Sequence, residues 1–360
     1  MKAAVLRAFG SPLAIETLPD PVLGTGEIIV DVVATRVLSY ANEVFSGERK
    51  YLLDLPVVPG PGAIGRVRAI GPDATHLVAG DWVCCDPTVR SRDDVLNPDI
   101  TLQGWSARDE DGLRLQKHFR HGSWAEQMRV PTENVKPIGP IDAADAAQWC
   151  ALGTLLVPYG GFLAANLQAG ETVLVSGATG NFGSAAVAVA LAMGAACVIA
   201  PGRNEQVLAD LARRFGDRLR PVKLSGNEDD DRARMQQAAP GPIDCVLDIL
   251  PPSVSTTTVR AAIMTVRPHG RVALMGGVGM LGGAGLDLPY PWIMRNCISI
   301  HGVWMYPPRA TIGLVNLIRA GLLGLDNFEA TTTFDLDHAN DAVAHAASNS
   351  GPFKMTVIRP

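Results

Sequence analysis

Hydrophobic and polar residues follow two different patterns in the two parts of the chain. In residues 1 to about 150, apolar residues alternate with polar ones over short stretches that glycine and proline turns separate. These stretches predict strands at Ala3–Arg7, Glu27–Ala34 and Gly65–Ile70. Residues 86–121 are polar and irregular, which predicts a surface excursion. A helical pattern over Asp142–Tyr159 then leads out of this β-rich part.

From Thr172 onward, patterns of buried strands alternate with helical patterns. The predicted strands are Val173–Val175, Ala196–Ala200, Arg220–Leu224, Ile243–Ile249, Arg271–Met275 and Ser299–Trp304. The predicted helices between them are Ala185–Met193, Glu205–Phe215, Arg232–Ala238 and Val254–Val266. Such alternation is typical of an α/β domain with a doubly wound parallel sheet. The pattern then becomes irregular again, with helices at Val315–Ala320 and Ala339–Ala347 and a strand at Phe353–Ile358, so we expect the tail to fold back onto the first domain.

A glycine-rich turn joins the first strand of the alternating part to its helix. Glycines in such a turn let backbone N–H groups approach a pyrophosphate at the helix N-terminus, where the helix dipole favours an anion. A following strand completes the βαβ unit, which is the context that gives the motif its meaning. The turn therefore predicts a dinucleotide site. Its predicted cofactor-binding residues are Gly177, Ala178, Thr179, Gly180, Asn181, Phe182 and Gly183.

Composition and charge mainly exclude other functions. The formal net charge is −5 and the chain has no basic block, so we expect no nucleic-acid partner. The N-terminus lacks the features of a secretory signal, and the apolar run Ala185–Ala200 is too short for a comfortable membrane span. None of the six cysteines forms a C-x-x-C pair, and several lie in apolar runs, as reduced buried thiols do. We expect a cytoplasmic protein, with no membrane partner, that acts on a small molecule.

Several motifs occur in the order and spacing of one protein family. They are Gly26-Glu-Ile-Ile-Val, Gly60 to Gly71, Gly80-Asp-Trp-Val, Gly122 to Glu126, Cys150-Ala-Leu-Gly-Thr, the glycine turn and Gly270-Arg-Val-Ala-Leu-Met-Gly. With them, nearly the whole chain resembles the medium-chain dehydrogenase/reductase family, which includes zinc alcohol dehydrogenases and zinc-free quinone and enone reductases. The resemblance implies an α/β fold with a Rossmann dinucleotide-binding domain over residues 151–304. It also implies a β-rich GroES-like catalytic domain formed by residues 1–150 and 305–360.

Departures from the zinc-binding members of this family are also informative. Those members have a cysteine where this chain has Leu38 and a His-Glu pair where it has Pro61 and Gly62, so only Cys150 remains of the ligand set. A catalytic Zn²⁺ needs about three protein ligands. Residues 86–121 also lack the four cysteines of the family's structural zinc lobe. We therefore expect neither zinc site.

The residues that follow the second strand of the Rossmann domain bear on the choice of cofactor. In such folds an acidic side chain there binds the 2′-hydroxyl of the adenosine ribose and repels a 2′-phosphate. This chain instead has Gly202, followed by Arg203 and Asn204. Glycine leaves room for a phosphate and arginine offers it a bidentate partner, which favours NADP(H) over NAD(H). Arg203 also fits the alternative of an exposed arginine at the start of a helix.

Without zinc, protein groups have to stabilise the charge that develops on the acceptor oxygen during hydride transfer. Tyr40 is the first candidate, because by the resemblance it stands where zinc enzymes have the hydroxyl that begins a proton relay. Ser39 and Asn42 in the same loop are candidates to assist it, and so is Tyr51. The alternative is that Tyr40 only packs between the domains, with its hydroxyl group satisfied.

Other residues are assigned to the site by their position in the family pattern. The expected nicotinamide-side residues are Thr154, Leu250, Gly276, Gly277, Val278 and Trp304. Trp149, Tyr306 and Tyr51 are assigned to an apolar substrate pocket, which we expect in the cleft between the domains. The large aromatic residues equally fit an interface core.

Together these features predict a zinc-independent, NADPH-dependent oxidoreductase that reduces a quinone or an activated, enone-type double bond. One alternative is a zinc-free alcohol dehydrogenase or carbonyl reductase in which Tyr40 is the proton donor. Another is a catalytically silent NADPH-binding protein. The expected substrate is a small apolar carbonyl, enone or quinone. The expected assembly is a homodimer in which the edge strand Ser299–Trp304 pairs across a two-fold axis.

Overall fold

The computed structural model describes residues 1–328 and 330–360 and divides them into two compact units. The first unit contains Met1–Gly153, Leu325–Ser350 and Lys354–Pro360, and the second contains Thr154–Gly324 and Gly351–Phe353. The predicted domain boundaries near residues 150 and 305 therefore differ from the structure mainly at the second position. Glu329, in the predicted 305–360 part of the first domain, lies outside the described residues.

The segment between residues 305 and 324 belongs to the second unit because it packs there. A Cβ on Gly160 would lie 2.5 Å from the Cβ of Tyr306, so the two backbones approach closely. Leu314 and Val315 are buried as well. Periodicity along the chain does not report such contacts between distant segments, which is why the sequence alone put the boundary too early.

The first unit begins with short strands and short helices. Its first strands are β1 (Lys2–Val5), β2 (Ala14–Thr17), β3 (Glu27–Val37), β4 (Ala63–Ile70), β5 (Trp82–Cys85), β6 (Thr88–Arg90), β7 (Ile100–Leu102), β8 (Ser106–Ala107), β9 (Gln127–Pro131) and β10 (Val135–Pro137). Its first helices are α1 (Ala41–Phe45), α2 (Glu110–His118) and α3 (Ala146–Trp149). The main sheet runs in the order β10, β5, β4, β3, and β9 also pairs with β3.

The second unit has the strand–helix alternation that the sequence predicts. Its strands are β11 (Thr172–Ser176), β12 (Cys197–Gly202), β13 (Leu219–Lys223), β14 (Ile243–Asp248), β15 (Val266–Leu274) and β16 (Ser299–Gly302). Its helices are α4 (Leu152–Ala164), α5 (Asn181–Ala192), α6 (Glu205–Phe215), α7 (Glu228–Ala238), α8 (Thr256–Ile263), α9 (Tyr290–Arg295) and α10 (Ala310–Arg319). The strands are parallel and lie in the order β13, β12, β11, β14, β15, β16. This is the doubly wound Rossmann order, which confirms the predicted fold class.

The end of the chain completes the first unit, as predicted for the tail. It contains β17 (Ala330–Asp335), α11 (Ala339–Ser348) and β18 (Lys354–Arg359). Strand β18 pairs antiparallel with β3 and parallel with β17, so it extends the main sheet of the first unit. Apolar side chains of β3, among them Ile28, Val30 and Val32, form the core of this sheet.

Residues 86–121 do not form the irregular surface excursion predicted from their polarity. They contain α2 and a small sheet of β6, β7 and β8, and Trp105 is buried among them. The backbone N–H of Ala107 donates to the carbonyl of Leu52 at 2.7 Å, which fastens the segment to the rest of the unit. Polarity was misleading because a polar side chain can be buried when backbone groups satisfy it: Gln103 Nε2, for example, donates to the carbonyl oxygens of His121 and Arg129.

Several predicted helices have different bounds in the structure, and two of the differences have a clear physical reason. The pattern over Asp142–Tyr159 is divided between α3 and α4, and a turn at Cys150 separates them. The helix predicted over Val254–Val266 is shorter because Val266 already pairs with Ile243 as the first residue of β15. Among the helices of the described residues, none combines the length and apolarity that crossing a membrane requires.

Candidate active site

The glycine turn lies between β11 and α5, where the sequence puts it. Gly177 follows β11 with a φ of +100°, a conformation that favours glycine. A Cβ on Gly183 would lie 1.9 Å from the carbonyl oxygen of Gly177, so only glycine lets the first turn of α5 pack against the loop. Gly180 is exposed at the start of the helix. This geometry fits the pyrophosphate of a dinucleotide, because backbone amides can approach it without an intervening Cβ.

The side chain of Asn181 has a structural partner within the second unit. Its Nδ2 donates to the carbonyl oxygen of Gly351 at 3.1 Å, and Ser184 Oγ accepts a hydrogen bond from the backbone N–H of Phe353 at 3.3 Å. These bonds fasten residues 351–353 to the start of α5. The neighbouring predicted residues differ in exposure: Ala178 is buried, whereas Thr179 and Phe182 are partly exposed.

Four more of the predicted cofactor residues lie beside the turn, at the carboxyl ends of β14 and β15. The backbone N–H of Gly277 donates to the carbonyl of Leu250 at 2.8 Å. The Cδ2 of Leu250 lies 3.4 Å from the position that a Cβ on Gly177 would occupy. Gly276 and Val278 flank Gly277 in the chain, and Val278 packs against the core of the unit. The structure thus brings this set together with the glycine turn, at the sheet edge where such folds bind ligands.

Asp248, at the end of β14, is a buried acid that the sequence analysis missed. It is hydrogen-bonded to Ser176 and to the backbone of Leu250, while its Oδ1 has no hydrogen-bond partner among the described residues. Burial raises the pKa of this carboxyl to about 6, and the two hydrogen bonds partly oppose the rise. A Cβ on Gly276 would lie 2.5 Å from Asp248 Oδ2, so the glycine leaves the space that the buried carboxyl group occupies. Its signal in the sequence is an acid that ends an apolar strand.

Gly202 is required by packing at the end of β12. A Cβ at this position would lie 2.3 Å from Cγ2 of Thr179 in the glycine turn. The turn itself therefore excludes the acidic side chain that binds a 2′-hydroxyl in NAD-dependent folds. The next residues are Arg203, which is exposed, and Asn204, whose side chain caps α6 by accepting from the N–H of Val207 at 3.1 Å.

A second cation lies beside Arg203. Lys223, at the end of β13, donates through Nζ to the carbonyl oxygen of Arg203 and pairs with Glu205 at 3.1 Å. Lys223 has no signal in the sequence, because only the parallel pairing of β12 with β13 brings their ends together. Arg203 and Lys223 thus form a basic corner at the strand ends that face the adenosine ribose in such folds.

Tyr40 precedes α1 in the first unit and packs among aromatic and cationic side chains. The guanidinium carbon of Arg49 lies 4.1 Å from the centroid of the Tyr40 ring. The Trp105 ring packs edge-on at a centroid distance of 5.9 Å. Burial raises the pKa of the Tyr40 hydroxyl well above its usual value, and Tyr51 adds to the rise. Arg36, Arg49 and Trp105 act in the opposite direction, but the hydroxyl stays protonated at neutral pH and is able to donate a hydrogen bond.

The other predicted catalytic and pocket residues near Tyr40 in the chain differ in their exposure and contacts. Ser39 and Tyr51 are partly exposed, and Tyr51 interacts electrostatically with Tyr40. Asn42 is exposed on α1, and its carbonyl oxygen accepts from the N–H of Ser46 at 2.9 Å. The structure therefore groups Tyr51 with Tyr40 and leaves the Asn42 side chain in solvent.

The remaining predicted residues, three aromatic ones and Thr154, differ in their burial. Trp149 is buried in α3 of the first unit, and Tyr306 is buried in the second unit against α4. Thr154 is buried near the start of α4, whereas Trp304 is 44% exposed beyond β16. Burial of Trp149 and Tyr306 favours the packing role that the sequence left open for them.

The family's catalytic zinc position does not fit a metal ion in this chain. Leu38 is a buried apolar residue, and Pro61 and Gly62 offer no side-chain ligand. Burial raises the pKa of the Cys150 thiol to about 12, so the thiol is neutral. Within residues 1–328 and 330–360, no group of three His, Cys, Asp or Glu side chains is arranged to hold a metal. The ligand set thus falls short of the three or so protein ligands that catalytic zinc needs.

A Rossmann sheet whose glycine turn fits a dinucleotide, with a separate β-rich unit, is the arrangement expected of a nucleotide-dependent oxidoreductase. Comparison with known protein families leads to the same class of enzyme. Residues 182–320 match the model described as "Zinc-binding dehydrogenase", and residues 24–140 match "Alcohol dehydrogenase GroES-like domain". The chain therefore belongs to the medium-chain dehydrogenase/reductase family.

Curated relatives and solved structures cover most of the chain. An acryloyl-coenzyme A reductase from Metallosphaera sedula is 27% identical over 84% of this chain and 84% of its own length. An NAD-dependent alcohol dehydrogenase from Sulfurisphaera tokodaii is 24% identical over 95% of each chain. The crystal structure of 2R,3R-butanediol dehydrogenase from Bacillus subtilis superposes with a TM-score of 0.80 at 16% identity and covers 100% of this chain and 99% of that one. At this identity the structural match establishes the fold.

Proposed function

We propose that the protein is a zinc-independent, NADPH-dependent reductase of quinones or of activated, enone-type double bonds. The observation that carries this proposal is the loss of metal ligands at Leu38, Pro61 and Gly62 in a unit where the Tyr40 hydroxyl stays protonated. A conjugated acceptor needs less polarisation of its oxygen than a simple ketone does. A phenol that donates one hydrogen bond is therefore sufficient electrophilic help.

Each unit has its own part in the proposed reaction. When bound, NADPH supplies the hydride. The backbone amides of residues 177–183 bind its pyrophosphate, while Arg203 and Lys223 pair with its 2′-phosphate. Tyr40 donates a hydrogen bond to the acceptor oxygen and passes its proton to that oxygen as negative charge develops there. The aromatic neighbours of Tyr40 suit an apolar acceptor.

The names of the relatives support two versions of this chemistry. A reductase of acryloyl-coenzyme A acts on a double bond conjugated with a carbonyl group, which is the acceptor type proposed here. The alcohol dehydrogenase among the relatives supports the second candidate, a zinc-free alcohol dehydrogenase or carbonyl reductase in which Tyr40 is the acid. Both versions use the same protein groups and differ in the carbon that receives hydride.

A substrate panel separates these candidates. Purified protein is assayed with quinones, enones, ketones and alcohols, each with NADPH or NADP⁺ and with NADH or NAD⁺. We expect turnover of quinones or enones to exceed that of ketones and alcohols, with a lower KM for NADPH than for NADH. Faster turnover of saturated ketones or alcohols would favour the second candidate. Tight NADPH binding without turnover of any acceptor would contradict both and indicate a silent nucleotide-binding protein.

A further inference from the structure

Among the described residues, the buried indole N–H of Trp105 makes no hydrogen bond of regular geometry, although it lies near enough to the Tyr40 hydroxyl to lower the pKa of that group. Trp105 is 1% exposed. Leaving such a donor unsatisfied costs stability, so buried unpaired donors are uncommon in native proteins. A donor of this kind next to a proposed proton donor calls for a functional explanation.

Trp105 belongs to an aromatic cluster that also contains Tyr40, Phe45 and Trp124. Its ring packs edge-to-face with Tyr40 at 5.9 Å and with Phe45 at 5.8 Å, and Phe45 packs in the same way on Trp124 at 5.6 Å. The two indoles of the cluster differ in one respect. Trp124 Nε1 donates to the carbonyl oxygen of Arg36 at 3.4 Å, whereas the corresponding nitrogen of Trp105 has no such bond in the described part of the chain.

The neighbour that can become an acceptor for this N–H is the oxygen of Tyr40. A neutral phenol oxygen is a modest acceptor, but a phenolate carries a full negative charge and accepts strongly. Trp105 is among the groups that favour the ionised form of Tyr40, together with Arg36 and Arg49. An interaction with that oxygen is therefore weak in the resting enzyme and strong once the proton has left.

We propose that Trp105 is a positioning residue for Tyr40, whose indole N–H bonds to the phenolate oxygen formed when Tyr40 gives its proton to the acceptor. This inference rests on the proposed role of Tyr40 as the acid. The hydroxyl proton moves to the acceptor oxygen, the negative charge moves to the Tyr40 oxygen, and solvent water later returns a proton to it. Because the new bond exists only as charge develops, it lowers the barrier without tightening substrate binding.

Arg49 adds a cation over the Tyr40 ring. Its guanidinium is held by Glu43, which accepts from Arg49 Nε at 2.8 Å. Trp105 itself is fixed by the segment that the Ala107 N–H joins to Leu52. Donor and cation are thus held in place before the reaction, which is the condition for electrostatic stabilisation of a transition state.

A double-mutant cycle tests the inference, with cyclohexenone and menadione as acceptors and NADPH as reductant. We expect Trp105→Phe to lower kcat about tenfold, as the loss of one hydrogen bond to a charged group does, with KM values unchanged. In a Tyr40→Phe background the same substitution should cause no further loss. The solvent isotope effect on kcat should rise in Trp105→Phe, because proton transfer becomes slower. Trp124→Phe, a buried indole with a satisfied N–H, is the matched control and should show neither the coupling nor the isotope effect.

Two results overturn the inference and are distinguishable. Equal losses from Trp105→Phe in both backgrounds would mean that the indole only packs, while the role of Tyr40 would stand. An unchanged kcat in Tyr40→Phe itself would remove the acid, and with it both the inference and the catalytic part of the proposed function. If Trp105→Phe does not fold, 3-benzothienylalanine at position 105 keeps the ring shape and replaces the N–H by sulfur, and the same expectations apply.

Discussion

Burial of the Asp248 carboxyl group makes the stability of the protein depend on pH. Because burial raises its folded-state pKa from the usual 3.8 to about 6, the folded protein holds this proton more tightly than the unfolded chain does. Stability therefore falls as pH rises from about 4 to about 6, and above that range the native state carries the full cost of a buried carboxylate. That cost is of the order of 3 kcal/mol, at about 1.4 kcal/mol for each unit of pKa.

Asp248→Asn is expected to remove this pH dependence. The free energy of unfolding of the variant, relative to the unsubstituted protein, should increase by about 2 kcal/mol between pH 4 and pH 7. Urea unfolding across that range measures the difference. Asp230→Asn, which changes an exposed acid on α7, is the control and should leave the slope as it is. A relative stability of Asp248→Asn that does not vary with pH would contradict the assignment.

Individual residues also mark the limits of what the sequence predicts. The glycine turn is recognisable because glycine has a distinct conformational role, and Gly202 and Arg203 because they follow a strand with a known function in the fold. Lys223 and Asp248 were missed because their relevance depends on which strand ends lie together. Strand order is a property of the folded sheet, and local pattern does not report it.

In the β11–turn–α5 unit, Gly183 shows the closest approach that an added Cβ would make at any described glycine. Gly183→Ala would put a Cβ 1.9 Å from the Gly177 carbonyl oxygen, so the helix and the turn have to separate. We expect the affinity for NADPH, measured by fluorescence titration, to fall at least about tenfold, because the amides no longer converge on the pyrophosphate.

Gly241→Ala is the matched control for this substitution. A Cβ at position 241, in the same unit, would have no heavy atom within 4 Å, so NADPH binding should be unchanged. Normal affinity in Gly183→Ala would show that the turn is not the cofactor site. Circular dichroism of both variants separates a loss of binding from a loss of folding.

The elements of the second unit were predictable and part of the first unit was not. In the second unit, short apolar runs typical of buried strands alternate with stretches of helical periodicity. The sequence pattern therefore predicts β11 to β15 and the helices between them. The segment from β6 to α2 has no such pattern, because it buries polar side chains such as Gln103, whose Nε2 bonds to backbone carbonyl oxygens. Its contribution to the site, the contact of Trp105 with Tyr40, joins positions far apart in the chain.

At the scale of the whole molecule, the family assignment concerns the combination of the two units and the predicted assembly. The chain combines a Rossmann unit with a GroES-like unit, as the family models require. Strand β16 lies at the edge of the second unit's sheet, where the predicted homodimer would form. That homodimer stays a prediction, as do the preference for NADP(H) and the independence from zinc.

The central claim is that protein groups alone polarise the acceptor, and metal removal tests it most directly. Purified protein is analysed for zinc by mass spectrometry, dialysed against a chelator, and assayed with NADPH and an enone before and after treatment. The account predicts well under one zinc per chain and an unchanged kcat after chelation, because Leu38, Pro61 and Gly62 supply no ligand. Stoichiometric zinc, with turnover that chelation abolishes and added zinc restores, would contradict it.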